Sequence, residues 1–151
     1  MKKFSFLALL IFLFIACKKN QPGTTPVLKG KITGKWNFDS VVTVFRDSTG
    51  KNILGKNTYP NSNGTYFQFN TNNTWFENLI PDSLNDLSQG GEYQSLSDTS
   101  FILSGSGAHP YSETCKIYSL SPSVFVFSHR RDTRFNGVTP GSIEYIFTLS
   151  R

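Results

Sequence analysis

The chain has two histidines, and His129 is the one whose position suggests a binding role. It ends a predicted strand and lies on the same face as Phe125 and Phe127, because side chains two apart in a strand share a face. If these phenylalanines point into a core, His129 lies at its rim, where an imidazole can hold the polar group of a ligand. Because Arg130 and Arg131 follow it directly, we favour a solvated rim histidine over a ligand contact.

Two glycine-containing stretches match part of a phosphate-binding or catalytic pattern. Gly50 and Gly55-Lys56 have the spacing of a phosphate-binding loop, but Asn57 stands where a hydroxyl is needed for Mg²⁺, and no helix is predicted to follow. Gly105-Ser106-Gly107 lacks the spacing of a hydrolase nucleophile elbow. We therefore predict a hairpin turn for the first stretch and a flexible loop leading to His109 for the second.

Acidic residues and cysteines form no recognisable catalytic or metal-binding pattern. Asp82 and Asp86 are four residues apart, and two carboxylates do not make a calcium loop. No cysteine or histidine lies close enough in sequence to another to suggest a metal site. The glutamates on the predicted strands are expected to face outward; they are Glu77, Glu92, Glu113 and Glu144. The sequence therefore predicts a protein that is not an enzyme and holds no metal or cofactor.

The N-terminus has the order of features that is typical of a secretory signal peptide. Lys2 and Lys3 precede an uncharged, almost wholly apolar run of thirteen residues, 4–16. Spanning a bilayer takes roughly 20 apolar residues, so this run is too short to cross comfortably. It fits the apolar region of a signal peptide and ends directly before Cys17. Residues 1–16 are therefore predicted to be a cleaved signal peptide.

Phe14-Ile15-Ala16-Cys17 resembles the lipobox of bacterial lipoprotein precursors. The resemblance implies cleavage before Cys17, a diacylglyceryl thioether on its sulfur and an acylated amino group, with palmitate as a representative acyl chain. It also implies a lipid anchor in the outer membrane, with the protein facing the periplasm. Because Cys17 is then lipidated, Cys115 has no cysteine partner and is expected to be a small buried hydrophobic residue.

Positive charge is concentrated in the segment that would connect this anchor to the folded part. Five lysines and no acidic residue lie between Cys17 and Trp36. From Trp36 onward, eight basic and ten acidic side chains give a net charge of −2. This part of the chain gives no sign of the basic face that nucleic-acid binding requires. Residues 17–33, with turn formers at 21–26, are predicted to be a flexible tether that contributes nothing to the core.

From Trp36 onward the chain predicts an all-β domain built from consecutive hairpins. Only 17% of residues are charged, and short apolar runs alternate with turn-forming clusters. Trp75 shares a face with Glu77 after a polar loop and is expected to be partly exposed. Four residues of the first strand are expected to share its buried face: Trp36, Phe38, Val42 and Val44. Eight or nine strands are typical of an antiparallel meander sandwich or an up-and-down barrel, and a barrel leaves no exposed edge.

Gly34-Lys35-Trp36 resembles the Gly-x-Trp signature of lipocalins. Together with the lipobox and the meander, it resembles small bacterial lipocalin-like domain lipoproteins. The resemblance implies an up-and-down barrel of about eight strands over residues 34–151. It also implies that Trp36 lies in the barrel floor with a late arginine stacked over its ring. Arg151 is the first candidate for that arginine and Arg130 the second; such a contact is structural, worth about 0.5–2 kcal/mol.

Two functions fit these predictions. The first is non-enzymatic binding of a small apolar or amphipathic ligand by a membrane-anchored, monomeric barrel. The second is a structural or protein-interaction role in the cell envelope, as an inhibitor or assembly partner, with the barrel filled by side chains. A continuous cavity of about 300 Å³ or more would favour the first function, and an interior filled by aromatic side chains would favour the second.

Overall fold

A computed structural model describes residues 27–60, 64–78, 89–105, 110–135 and 139–151. The predicted signal peptide, Cys17 and the predicted tether as far as residue 26 lie outside the described residues. Asp82, Asp86 and His109 lie outside them as well. Within the described ranges, no helix is long and apolar enough to cross a membrane.

The described part of the chain contains one short helix followed by antiparallel strands. The helix is α1 (Val27–Ile32). The strands are β1 (Gly34–Asp47), β2 (Ile53–Pro60), β3 (Tyr66–Phe69), β4 (Thr74–Asn78), β5 (Gln89–Ser97), β6 (Ser100–Gly105), β7 (Tyr111–Leu120), β8 (Val124–Phe135) and β9 (Thr139–Ser150).

Strand β1 closes the sheet into a barrel. One edge of β1 pairs with β9. The other edge pairs with β3 along its first residues and with β2 further on. From β3 to β9 each strand pairs with the next, so β1 and β3–β9 form a closed eight-stranded barrel to which β2 is added. The prediction of an all-β, up-and-down antiparallel barrel of about eight strands is confirmed.

The predicted hairpins form where turn chemistry interrupts the alternation. Strands β3 and β4 pair across a polar loop in which Asn73 has a φ of 67°, a left-handed conformation that asparagine tolerates. Asp98-Thr99 turns β5 into β6, and Pro122-Ser123 lies in the turn between β7 and β8. The stretch around Gly50, which resembled a phosphate-binding loop, is the turn between β1 and β2. There the Asp47 carboxylate accepts hydrogen bonds from the Thr49 amide and hydroxyl.

A bulge after Phe38 changes which residues of β1 face the interior. The register with β9 shifts at this point, and an extra residue in one strand reverses the inward and outward sides beyond it. Val41 and Thr43 therefore face inward, opposite Phe147 and Tyr145. The prediction that Val42 and Val44 share the inner face of Trp36 and Phe38 is wrong. Both valines lie on the outer face, where Val44 is nevertheless buried, at 4% exposure.

Trp36 and Arg151 form the floor of the barrel. Trp36 is fully buried, and the guanidinium carbon of Arg151 lies 3.7 Å from the centroid of its ring. Gly34 has a φ of 124°, and a Cβ at this position would come within 3.1 Å of Arg151 Nη2. A glycine is therefore required both for the backbone conformation and for the approach of the arginine. This contact gives the Gly-x-Trp pattern a physical reason.

Helix α1 belongs to the core, although the sequence placed its residues in the tether. Leu28 and Ile32 are 1% and 0% exposed and pack in the main hydrophobic cluster. The carbonyl oxygen of Ile32 accepts a hydrogen bond from Trp36 Nε1 at 2.7 Å, and Thr33 O accepts one from Arg151 Nη2. These donors satisfy carbonyls at the end of the helix that have no partner within it. The packed part of the chain thus begins before the predicted boundary at Gly34.

Aromatic rings fill the half of the barrel nearest the floor. The fully buried rings are Trp36, Phe67, Phe69, Phe101, Phe125 and Phe127. Trp75 is also buried, at 3% exposure, and its indole N–H donates to Ser104 O at 3.2 Å. The expectation of a partly exposed Trp75 is therefore wrong, because its face of β4 is the inner one. Cys115 is a free, buried thiol, as predicted.

Candidate functional site: a cavity at the open end of the barrel

A cavity of about 610 Å³ occupies the end of the barrel away from Trp36. Its walls are formed by the parts of the strands that lie farther from Trp36. We call five polar residues at this end of the cavity the mouth: Glu77, Gln89, Glu113, His129 and Arg131. Among them, Arg131 has a side chain that is 54% exposed, so the cavity reaches solvent there.

The walls of the cavity are mainly apolar. They are formed by Phe38, Val41, Phe67, Trp75, Leu103 and Phe147. The β1 bulge brings the side chain of Val41 into the cavity wall, because without the bulge this side chain would lie on the outer face. Phe67 packs against Trp75, with ring centroids 5.8 Å apart. These walls are suited to the apolar part of a small molecule.

At the mouth, β7 and β8 bring Glu113 together with two basic side chains. Arg131 Nε donates to Glu113 Oε1 at 2.7 Å, and His129 Nδ1 contacts Glu113 Oε2. Burial alone would raise the pKa of Glu113, but hydrogen bonding and charge from His129 and Arg131 outweigh it and lower that pKa below its ordinary value of 4.5. Glu113 is therefore an ionised and neutralised carboxylate near neutral pH.

Glu77 is a second carboxyl group of the cavity, and its surroundings are different. It is 4% exposed, and its Oε1 accepts a hydrogen bond from Gln89 Nε2. Gln89 Oε1 in turn accepts a hydrogen bond from the Tyr111 hydroxyl at 3.2 Å. Burial raises the pKa of Glu77 from 4.5 to about 7; the Gln89 hydrogen bond opposes the rise, and the negative charge of Glu113 adds to it. Glu77 therefore changes its charge near neutral pH.

We expect the Glu77→Gln variant to gain stability relative to the wild type as pH rises. Between about pH 4.5 and 7 the folded state holds a proton on Glu77 that the unfolded state has lost, so wild-type stability falls through this window. Glutamine does not titrate. The wild type loses about 1.4 kcal/mol of stability per pH unit in this window. The free energy of unfolding of the variant, relative to that of the wild type, should therefore be about 3 kcal/mol higher at pH 8 than at pH 4. Urea unfolding at both pH values measures this.

The exposed Glu92 of β5 provides the control. Glu92→Gln removes the same charge from the outer face, and its stability relative to wild type should differ little between the two pH values. If Glu77→Gln behaved in the same way as Glu92→Gln, the buried position of Glu77 would be contradicted.

The structure separates the three residues that the sequence placed at the rim. His129 does line the cavity, but its side chain is only 13% exposed and contacts Glu113, so it is not the solvated histidine that we favoured. It stacks on Tyr145, with ring centroids 5.1 Å apart. Phe125 and Phe127 are fully buried in the core and do not line the cavity. Their place at the rim is therefore corrected to the packed interior.

Arg130 is not part of the barrel floor. It lies on the outer face of β8, where its Nε donates to Ser142 Oγ at 2.7 Å. Its guanidinium group packs against the backbone of Gly50, leaving no room for a Cβ there. Arg151 alone of the two candidates covers Trp36. Successive side chains of a strand point to opposite faces, so Arg130 points outward because His129, directly before it on β8, points inward.

The glutamates divide between the two faces of the barrel. Glu92 and Glu144 lie on the outer face, and Glu144 is paired there with Arg46 at 2.8 Å. Glu77 and Glu113 line the cavity, contrary to the expectation that they face outward. For Glu113 the sequence held a signal, because Cys115 two residues later was already predicted to be buried. For Glu77 the sequence was ambiguous. Trp75 and Phe76 lie on opposite faces of β4 and both are aromatic, so either face could have been the inner one.

The arrangement is suited to binding. Cys115 lies outside the cavity lining, and burial raises the pKa of its thiol, so it is a protonated and inaccessible group. Within the described ranges, no group of three or more His, Cys, Asp or Glu residues is placed to hold a metal ion. What the mouth offers a ligand is one neutralised carboxylate, one titrating carboxyl group and hydrogen-bonding side chains.

The fold and the site together define a closed antiparallel barrel with an amphipathic internal cavity. Comparisons with protein-family models, with curated proteins and with solved structures give no match to the chain.

Proposed function

We propose that this protein is a membrane-anchored, lipocalin-like binding protein that holds a small apolar or amphipathic molecule without chemical conversion. The observation that carries the proposal is the cavity of about 610 Å³ inside a closed barrel. Sites for small molecules typically measure roughly 300–1,000 Å³. The apolar walls would take the body of the ligand, and the mouth would take its polar group.

The distribution of side chains supports ligand binding over the alternative of a structural or protein-interaction lipoprotein with a filled barrel. Among the described residues, aromatic rings pack against one another near Trp36, whereas Phe38, Trp75 and Phe147 line an open cavity further along the barrel. Such packing holds the floor closed and leaves the cavity free for a ligand.

A bulky side chain at Val41 is expected to abolish ligand binding. Val41 is a wall residue, so Val41→Trp places an indole inside the cavity. The neutral fluorescent probe N-phenyl-1-naphthylamine should bind the wild type with a Kd on the order of micromolar and bind the variant at least about tenfold more weakly. Fluorescence titration of residues 17–151, with Cys17→Ser to avoid lipidation, measures this.

Val42→Trp is the matched control. The same side chain is added one residue further on, on the outer face of β1. Probe binding should stay at the wild-type level. Equal losses in both variants, or no probe binding by the wild type, would contradict ligand binding in this cavity.

We also propose a lipid anchor at Cys17 and a monomeric domain in the periplasm, held at the outer membrane. The support is the order of Lys2-Lys3, the apolar run 4–16 and the lipobox-like Phe14-Ile15-Ala16-Cys17. The lysine-rich segment after Cys17 would add attraction to anionic headgroups, about 1 kcal/mol per lysine near the surface.

Radiolabelled palmitate is expected to enter the wild-type protein and to be absent from the Cys17→Ser variant. The thioether requires the sulfur of Cys17, so a hydroxyl there removes the acceptor. Cys115→Ser is the matched control, because its buried thiol is not available to a lipid-transferring enzyme. Equal labelling of wild type and Cys17→Ser would overturn the anchor.

A further inference from the structure

Glu77 is the carboxyl group of the cavity that has no cationic partner. Among the described residues, no lysine, arginine or histidine lies within ion-pair distance of it. Its hydrogen-bond partner is the neutral amide of Gln89. A carboxyl group that is 4% exposed and loses its proton in such a place needs a positive charge nearby.

The basic side chains of the mouth are already engaged. Arg131 donates to one oxygen of Glu113, and His129 contacts the other. Both basic side chains of the mouth are therefore paired with Glu113, and neither is paired with Glu77. An anionic ligand would place a further negative charge in a cavity that already holds two carboxyl groups.

Aromatic residues line the cavity beside Glu77. Trp75 precedes it by two residues on the same inner face of β4, and the Tyr111 hydroxyl is linked to it through Gln89. Aromatic faces attract cations, and rings grouped around a carboxylate are a recurring arrangement for binding ammonium groups. Phe67 lies directly opposite Glu77 in the pairing of β3 with β4.

We propose that the ligand of this cavity is a cationic amphiphile, an amine or quaternary ammonium with an apolar tail, whose charged head pairs with Glu77. This inference rests on the proposed ligand-binding function and adds the charge of the ligand. The tail occupies the walls beside Val41 and Phe147, and the head lies between Glu77 and the aromatic rings.

The proposal predicts that binding of a permanently charged ammonium strengthens as pH rises. Ionised Glu77 attracts the head, and Glu77 loses its proton near pH 7. The other charged or titratable groups that face it are Tyr111 and Glu113 on β7 and His129 and Arg131 on β8. Glu113 is already ionised in this range. Affinity for the ammonium should therefore rise from pH 6 to pH 8 in the wild type and change little over this range in Glu77→Gln.

The test compares three ligands with the same tail: decyltrimethylammonium, decanol and decanoate. Isothermal titration calorimetry on residues 17–151 with Cys17→Ser, at pH 8, should show the ammonium binding at least about tenfold more tightly than decanol and decanoate most weakly. Glu77→Gln should remove the preference for the ammonium over decanol. Glu92→Gln, on the outer face, should leave all three affinities unchanged.

The outcomes separate this inference from the proposed function. If decanol binds and is displaced by Val41→Trp, but the ammonium has no advantage or keeps it in Glu77→Gln, the cationic head is wrong and the binding function stands. Tighter binding of decanoate would likewise overturn the cationic head and indicate an anionic ligand. If none of the three ligands binds, both proposals fail. The pH series on the wild type provides a test that does not depend on the folding of any variant.

Discussion

Replacing Trp36 with alanine is expected to lower the free energy of unfolding by about 3–5 kcal/mol. The indole is fully buried, packs against Phe125 with ring centroids 5.4 Å apart, and donates its N–H to Ile32 O. Its removal leaves a cavity in the floor and takes away the shorter of the two hydrogen bonds that Ile32 O accepts. Urea unfolding followed by circular dichroism gives the value. Phe76→Ala is the control, because Phe76 is an aromatic residue on the outer face at 37% exposure, and it should cost about 1 kcal/mol or less.

Part of the contribution of Arg151 to the free energy of unfolding should depend on Trp36. The guanidinium lies over the indole at 3.7 Å, and a cation–π contact of this kind is worth about 0.5–2 kcal/mol. In a double-mutant cycle, Arg151→Ala should therefore cost less in the Trp36→Ala background than in the wild type by about that amount. Strictly additive costs, or a Trp36→Ala variant as stable as Phe76→Ala, would contradict the structure of the floor.

Removing helix α1 is expected to destabilise the barrel by about 4 kcal/mol or more. Residues 34–151 lack Leu28 and Ile32, and loss of a buried Leu or Ile side chain costs about 2–5 kcal/mol. The truncation also leaves the Trp36 N–H without its acceptor, which costs about 1–3 kcal/mol. Comparing the urea midpoints of residues 34–151 and 27–151 measures the difference.

Two variants of the longer chain locate the effect. Leu28→Ala with Ile32→Ala should reproduce most of the loss, whereas Lys31→Ala, at an exposed position of the same helix, should cost less than about 0.5 kcal/mol. Coinciding midpoints for residues 27–151 and 34–151 would show that the chain before Gly34 is a tether throughout, as the sequence suggested.

The sequence predicts the architecture because the information is local. Turn formers such as Asp98-Thr99 mark where strands end, and Gly34 with Trp36 marks the floor, since the backbone conformation and the close approach of Arg151 both require a glycine. Each of these signals is carried by a few neighbouring residues. The prediction of Arg151 came from the resemblance to lipocalins, which implies a late arginine over the Trp36 ring.

The cavity is less predictable because it depends on register. The bulge after Phe38 reverses the faces of β1 and brings Val41 to the wall, yet Val41 and Val42 are identical in type and no residue marks the shift. Helix α1 was missed for a related reason. Its six residues are too short for a helical period to show, and only the contacts of Leu28 and Ile32 reveal it.

The charges of the mouth come from two separate parts of the chain. Glu113 and Arg131 lie on the paired neighbours β7 and β8, whereas Glu77 lies on β4 and shares the cavity with them only because the barrel closes. The pairing of β7 with β8 explains why Glu113 is neutralised and Glu77 is not. A sequence that shows isolated glutamates on strands cannot distinguish these two environments.

The most direct test of the account is native mass spectrometry of the barrel as cells produce it. The chain from Lys18 onward would be exported behind an unrelated cleavable signal peptide and purified without detergent, beside its Val41→Trp and Val42→Trp variants. The wild type and Val42→Trp should carry the added mass of one small molecule, and Val41→Trp should carry none. Wild-type protein with no added mass, or added mass that persists in Val41→Trp, would contradict ligand binding in the barrel.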